Sequence, residues 1–125
     1  MNDLIIEPTE KTPLIEFHTT GKLTLAGNSY PENVRDFYTP VLDWVNDLET
    51  DEIPLDLIMD YTNTASAKVL LEMLRKFDIT SRFRTVNINW YYEEDDEDTL
   101  EAGQILEDIL TQSTFKYVEY EKTAR

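Results

Sequence analysis

The chain has 125 residues, with 26 acidic side chains against 11 basic ones and a formal charge of −15. That length suits one compact domain over residues 1–125, and a hydrophobic fraction of 41% is enough to build its core. A pI near 4.2 excludes the basic footprint that nucleic acid or anionic lipid requires. The lack of cysteine excludes disulfides, thiol nucleophiles and cysteine-bound metal, and the single histidine, His18, argues against a histidine-rich metal site or a Ser-His-Asp triad. No cofactor is expected. Met1 to Glu10 carries acids and one short apolar run, Leu4-Ile5-Ile6, unlike a signal peptide. No apolar stretch reaches the roughly 18 residues of a membrane helix, so a cytoplasmic, membrane-free protein is expected.

Pro8 and Pro13 lie in an N-terminal segment that should run extended to the first strand. Leu14 to Thr19 reads as that strand, Thr20-Gly21 as a turn, and Lys22 to Ala26 as its alternating partner in a β-hairpin. Ser29-Tyr30-Pro31-Glu32 has the form of a capping box. Val34, Phe37, Tyr38, Val41, Val45 and Leu48 follow at helical spacing through Pro40, where a kink is expected. Pro54 marks the next boundary. Leu55, Leu57, Met59 and Tyr61 alternate with Asp56, Ile58 and Asp60 as a strand, broken by the polar run Thr62-Asn63-Thr64-Ala65-Ser66.

Val69, Leu70, Met73, Leu74 and Phe77 form a second helical stripe, and Val86, Ile88, Trp90 and Tyr92 a further strand. Glu93 to Asp98 reads as an acidic loop, Leu100 to Ile109 as a third helix, and Phe115 to Tyr120 as a last strand. The order β-β-α-β-α-β-α-β predicts an α/β (α+β) fold, a mixed sheet with an N-terminal hairpin and about three helical crossovers.

The charge is uneven along the chain. Residues 1–31 carry −2, residues 32–60 carry −8 and residues 93–125 carry −8. Residues 61–92 carry +3, from Lys68, Arg75, Lys76, Arg82 and Arg84 against Glu72 and Asp78. This positive island surrounds the polar run at Thr64. A strand, a polar knot and an apolar helix in sequence make a strand–cap–helix junction, where Asn, Thr and Ser side chains accept hydrogen bonds from first-turn amides. The same junction suits a phosphorylation switch. A phosphate there meets the positive end of the helix dipole, and Lys68 follows Thr64 by four residues.

Asn63-Thr64-Ala65-Ser66 followed by Val69 to Leu74 resembles the strand–DSSG–helix junction of STAS domains, whose first motif serine, a regulatory phosphosite, aligns with Thr64. The DSSG glycine is replaced by Ala67. The chain more closely resembles the SiaC-type regulatory phosphoproteins of bacteria, through Gly27 to Asn33, Leu42-Asp43-Trp44-Val45, Tyr61 to Lys68 and Trp90-Tyr91-Tyr92. Thr62 stands where that family often has an aliphatic residue, and Ala65 where it has a serine.

The resemblance implies a STAS-like adaptor phosphorylated on Thr64 by a dedicated kinase and reset by a PP2C-like phosphatase. Unphosphorylated, it would bind and activate a diguanylate cyclase, raising cyclic di-GMP and promoting biofilm. Thr62, Asn63, Ser66 and Lys68 would form the surroundings of the phosphosite and the partner surface.

Other features carry rival readings. Six consecutive acids, Glu93 to Asp98, lack the ligand spacing and central glycine of a calcium loop and read as a solvated segment. His18 reads as an ordinary polar residue of a strand or hairpin edge. Trp90 shares the parity of Val86 and Ile88 and belongs in the core, whereas Tyr91 faces away. Trp44 is the better interface candidate. Asp43 with Asp47, or Asp56 with Asp60, could form carboxylate pairs. A small hydrolase using Asp56 and Asp60 is therefore one alternative, and an acidic inhibitor of a basic protein groove is another.

Overall fold

The computed structural model describes residues 1–121. Its elements run β1 (Leu4–Ile6), β2 (Leu14–Phe17), β3 (Leu23–Ser29), α1 (Val34–Asp47), β4 (Glu52–Thr62), α2 (Thr64–Ile79), β5 (Thr85–Glu93), α3 (Glu97–Ile109) and β6 (Thr114–Tyr120). The strands stand in the sheet in chain order, β1 to β6. β2 is antiparallel to both of its neighbours, β1 and β3, and β3 to β6 are parallel. The expected mixed sheet and its three crossovers are present. Each parallel step goes the same way across the sheet, and right-handed crossovers then place all three helices on one face.

Rows across the sheet show the two faces. Leu4, Phe17, Leu23, Leu55, Ile88 and Phe115 stand in register, as do Ile6, Ile15, Leu25, Leu57, Trp90 and Tyr117. These apolar rows pack under Tyr38, Val41 and Val45 of α1 and Val69, Met73 and Phe77 of α2. The intervening row, Ile5, Glu16, Thr24, Asp56, Asn89 and Lys116, is largely polar and belongs to the open face.

Several expectations are corrected. Ser29 does not cap α1. It ends β3, fully buried, and Asn33 is the cap, its side chain accepting from the Asp36 amide. The N-terminal segment is partly a strand, β1, and Trp44, expected at an interface, is half-buried and helps to hold it. The Trp44 ring meets Phe17 at a tilt, with centroids 5.6 Å apart, and its indole donates to the Asn2 carbonyl at 2.8 Å. Pro54 lies inside β4, not at its edge, but the ladder to β3 begins only at Leu55, so the proline has one strand neighbour. The acidic run is a loop only in part: Glu93 ends β5, and Glu94 to Asp96 make the turn. Asp96 caps α3, accepting from the Thr99 amide, while Glu97 and Asp98 occupy the first turn, where carboxylates complement the helix dipole.

Two side chains tie down segments far away in sequence, Arg82 the end of α1 and Asp78 the turn between α3 and β6. α1 has no basic residue in its last turn, and Arg82 supplies the charge, its guanidinium donating to the Val45, Asn46 and Leu48 carbonyls. Near the end of α2, the Asp78 carboxylate accepts from the amides of Thr111, Gln112 and Ser113 and from the hydroxyls of Thr111 and Ser113. Burial raises the Asp78 carboxyl, but these donors outweigh it and hold it below the usual 3.8. Its contribution to stability is therefore complete above that value and fades as pH falls through the lowered one. Asp78→Ala should cost about 2–3 kcal/mol in urea unfolding at neutral pH. It should also flatten the decline in stability below pH ~4, and an unchanged acid limb would show that Asp78 is not a main source of it.

Candidate functional site

The site begins with a β-bulge. β3 and β4 pair residue for residue up to Gly27 with Met59, after which Asn28 pairs with Tyr61 and Ser29 with Thr62. Asp60 is the extra residue, and it reverses the parity of everything after it. Sequence alternation placed Tyr61 with Leu55, Leu57 and Met59. In the structure Tyr61 leaves that face, is 56% exposed and meets Tyr30 edge-on at 5.7 Å. Thr62 takes the place beside Ser29 and is half-buried.

One residue later α2 starts. Asn63 is its cap, with its side-chain oxygen 2.9 Å from the Ser66 amide, while its carbonyl accepts the Ala67 amide and its own amide donates to the Ser29 carbonyl. Ser66 is fully buried, contrary to a role on a partner surface. Its hydroxyl accepts from Ser29 Oγ at 2.8 Å, and Ser29 is in turn 2.6 Å from the Tyr38 hydroxyl. With Ser29 donating to Ser66, the phenol must donate to Ser29. Burial pushes the Tyr38 phenol above its usual value, so it keeps its proton at neutral pH.

These anchors leave Thr64 distinct. It is the first residue of α2, is exposed, and its hydroxyl makes no hydrogen bond among the described residues. The amides of Thr64 and Ala65 have no intrahelical acceptor at a helix start, and they belong to the positive end of the dipole. Lys68, also exposed, lies one turn along with no ion pair among the described residues. The structure thus brings Thr64 and Lys68 together at the surface, with Tyr61 near the end of the strand before them. Asn63 and Ser66 act from beneath. Tyr61 was missed because the bulge that exposes it has no local sequence signal.

The basic island is not a ring around Thr64. Arg82 is spent on the end of α1, and Arg84 lies at the opposite end of the sheet, 3.9 Å from Glu52. Arg75 and Lys76 stand further down α2. The remaining site candidates also resolve. Asp56 is bound by Lys22 at 2.6 Å and Asn89 at 2.8 Å; burial raises its carboxyl, but these two partners hold it below its usual range. Asp60 lies four positions along the strand, a spacing of roughly 13 Å, too far for a carboxylate pair. His18 lies between Asp3 at 3.0 Å and Glu16 at 3.6 Å on its two ring nitrogens, so its partners serve β1 and β2. Among the described residues no group of side chains is arranged to hold a metal ion, and no helix is long and apolar enough to cross a membrane.

Comparison with known proteins adds to this geometry. Residues 6–120 match the family described as SiaC family regulatory phosphoprotein. The chain belongs to the SiaC family. An uncharacterized protein of Pseudomonas aeruginosa strain UCBPP-PA14 is 33% identical over 109 residues, covering 83% of this chain and 86% of that one. SiaC of Pseudomonas aeruginosa superposes with a TM-score of 0.81 at 27% identity, over 98% of this chain and all of its own. A chain in the crystal structure of the diguanylate cyclase SiaD in complex with its activator SiaC superposes with a TM-score of 0.85 at 29% identity, over 94% and 100%. This SiaC-family chain therefore shares their mixed six-stranded sheet with three helices.

The division of labour at the junction has a measurable form. Asn63→Ala removes the cap and should cost about 1 kcal/mol in urea unfolding. Thr64→Ala removes an unengaged hydroxyl and should stay within about 0.5 kcal/mol of the unmodified protein. The reverse order would mean that Thr64 holds the helix start.

Proposed function

We propose that this protein is a phosphorylation-switched adaptor with Thr64 as its acceptor. A kinase modifies Thr64, a PP2C-like phosphatase resets it, and the unphosphorylated form binds and activates a diguanylate cyclase. The observation that carries the reading is the exposed, unengaged hydroxyl of Thr64 beside a cap, Asn63, that already holds the Ser66 amide. A kinase can take such a hydroxyl without opening the fold. Membership of a family of regulatory phosphoproteins supports it, as does the likeness to a SiaC that activates the cyclase SiaD.

Phosphorylation adds about −1.5 to −2 of charge at neutral pH and three acceptor oxygens. The amides of Thr64 and Ala65 and the Lys68 ammonium can receive it, so the modified state is stable while the surface changes sign locally. Docking is lost at the surface around Thr64, with Tyr61 and Lys68 at its rim, and the sheet beneath is unaltered.

Protein isolated from its own host should contain a species about 80 Da heavier, the mass of one phosphate, mapping to Thr64 and absent from Thr64→Ala. Thr64→Asp should bind the host's diguanylate cyclase at least about tenfold more weakly than the unmodified chain, some 1.4 kcal/mol. Equal binding would contradict the switch, and modification confined to another residue would misplace it.

A further inference from the structure

One face of α2 departs from what a surface helix should show. At 100° per residue, Ser66, Val69, Met73 and Phe77 point into the core, and they are buried. The opposite pole carries Thr64, Lys68, Leu71, Arg75 and Ile79, spaced by four, three, four and four residues. A solvent pole is ordinarily polar throughout. Here Leu71 interrupts it and Ile79 is 78% exposed, the most exposed large apolar side chain of the described chain. The two lie two turns apart, roughly 12 Å along the axis. Between and beside them run Lys68 and Arg75, neither of which has an ion-pair partner among the described residues. A shallow groove of about 300 Å³ follows the same stripe, lined by Lys68, Leu71, Glu72, Arg75, Lys76 and Ile79. Its one carboxylate, Glu72, is neutralised by Arg35 of α1 at 3.0 Å, and Lys76 leans to Asn46 of α1.

We infer that the solvent pole of α2, from Thr64 to Ile79, is a docking stripe for an acidic amphipathic helix of a partner protein. The inference rests on the reading of Thr64 as the switch and names the chemistry that the switch controls. Leu71 and Ile79 supply apolar anchors at helical spacing, and Lys68 and Arg75 pair with carboxylates flanking the partner's own apolar stripe. Charge complementarity selects this occupant. The chain carries −15 overall, so a partner guided by the bulk of its surface would be basic, whereas this stripe is positive. A second copy would bring the same −15 against it. Thr64 stands at the head of the stripe, and a phosphate there would place like charge against the first carboxylates of the bound helix.

The test uses two synthetic peptides of about sixteen residues, the length that spans α2. Both carry leucines on one helical face and differ only in having Glu or Lys on the flanking positions. Fluorescence anisotropy with the full-length unphosphorylated protein should show the Glu peptide binding at least about tenfold tighter than the Lys peptide. Arg75→Glu and Ile79→Asp, both exposed, should each remove that preference with unfolding curves unchanged. Equal binding, or preference for the Lys peptide as net charge alone dictates, overturns the proposal. So does a dimer seen by sedimentation and dissolved by Arg75→Glu, since a second copy would then be the occupant. If the Glu peptide binds the unmodified chain and Thr64→Asp alike, while Arg75→Glu abolishes binding, the stripe stands and the control by Thr64 falls. If Thr64 is phosphorylated in the host but the Glu peptide is not preferred, the stripe falls and the switch stands.

Discussion

Three buried hydroxyls determine where the surface of this protein can change. Tyr38 of α1, Ser29 of β3 and Ser66 of α2 form one hydrogen-bonded chain under the start of α2. Each would cost free energy if left unpaired in the core, so they hold three elements in one arrangement. The Asn63 cap and its amide bond to the Ser29 carbonyl complete the anchorage. With these groups engaged below, Thr64 stands exposed above. A phosphate placed there would be separated from the core by a layer of satisfied polar groups, so in the proposed switch the change in charge remains local.

Electrostatics give that change its effect. Most of the charge lies elsewhere, including the acids that cap α3 and fill its first turn. The bases, by contrast, are divided by role. Arg82 closes α1, Arg35 answers Glu72, and Lys11, Lys22 and Arg84 each meet an acid, whereas Lys68 and Arg75 stand without an ion pair among the described residues along the outer pole of α2. A strongly acidic protein thus presents a positive stripe there, and in the proposed switch a dianion at its head would reverse the sign where a partner first meets it.

The periodicity of the chain revealed the sheet and the three helices because each buried face repeats at its own period over many residues. Leu23, Leu55 and Ile88 were core candidates from alternation alone and stand in one row. What remained hidden depended on distant partners. Leu4-Ile5-Ile6 becomes a strand only because Ile15 to Phe17 lies beside it. Ser29 has the right residue type for a cap, and nothing local distinguishes that role from a buried hydroxyl facing Tyr38 and Ser66. The bulge at Asp60 adds one residue to β4 without changing its composition, yet it turns Tyr61 outward. At the site, Thr64, Asn63 and Lys68 were legible from the strand–cap–helix pattern and from resemblance to the family. Which of them caps and which is exposed was not, because Asn, Thr and Ser all serve as caps.

In the proposed switch a phosphate on Thr64 alters a surface and leaves the fold in place. Residue-by-residue amide spectra of the full-length protein, before and after phosphorylation of Thr64, separate a local change from a refolding. Shifts should be confined to the end of β4 and the first two turns of α2, with the amides of Thr64 and Ala65 moving most as they meet the phosphate. Shifts spreading through β3, α1 and β5 would show that the buried hydroxyl chain gives way and would contradict it.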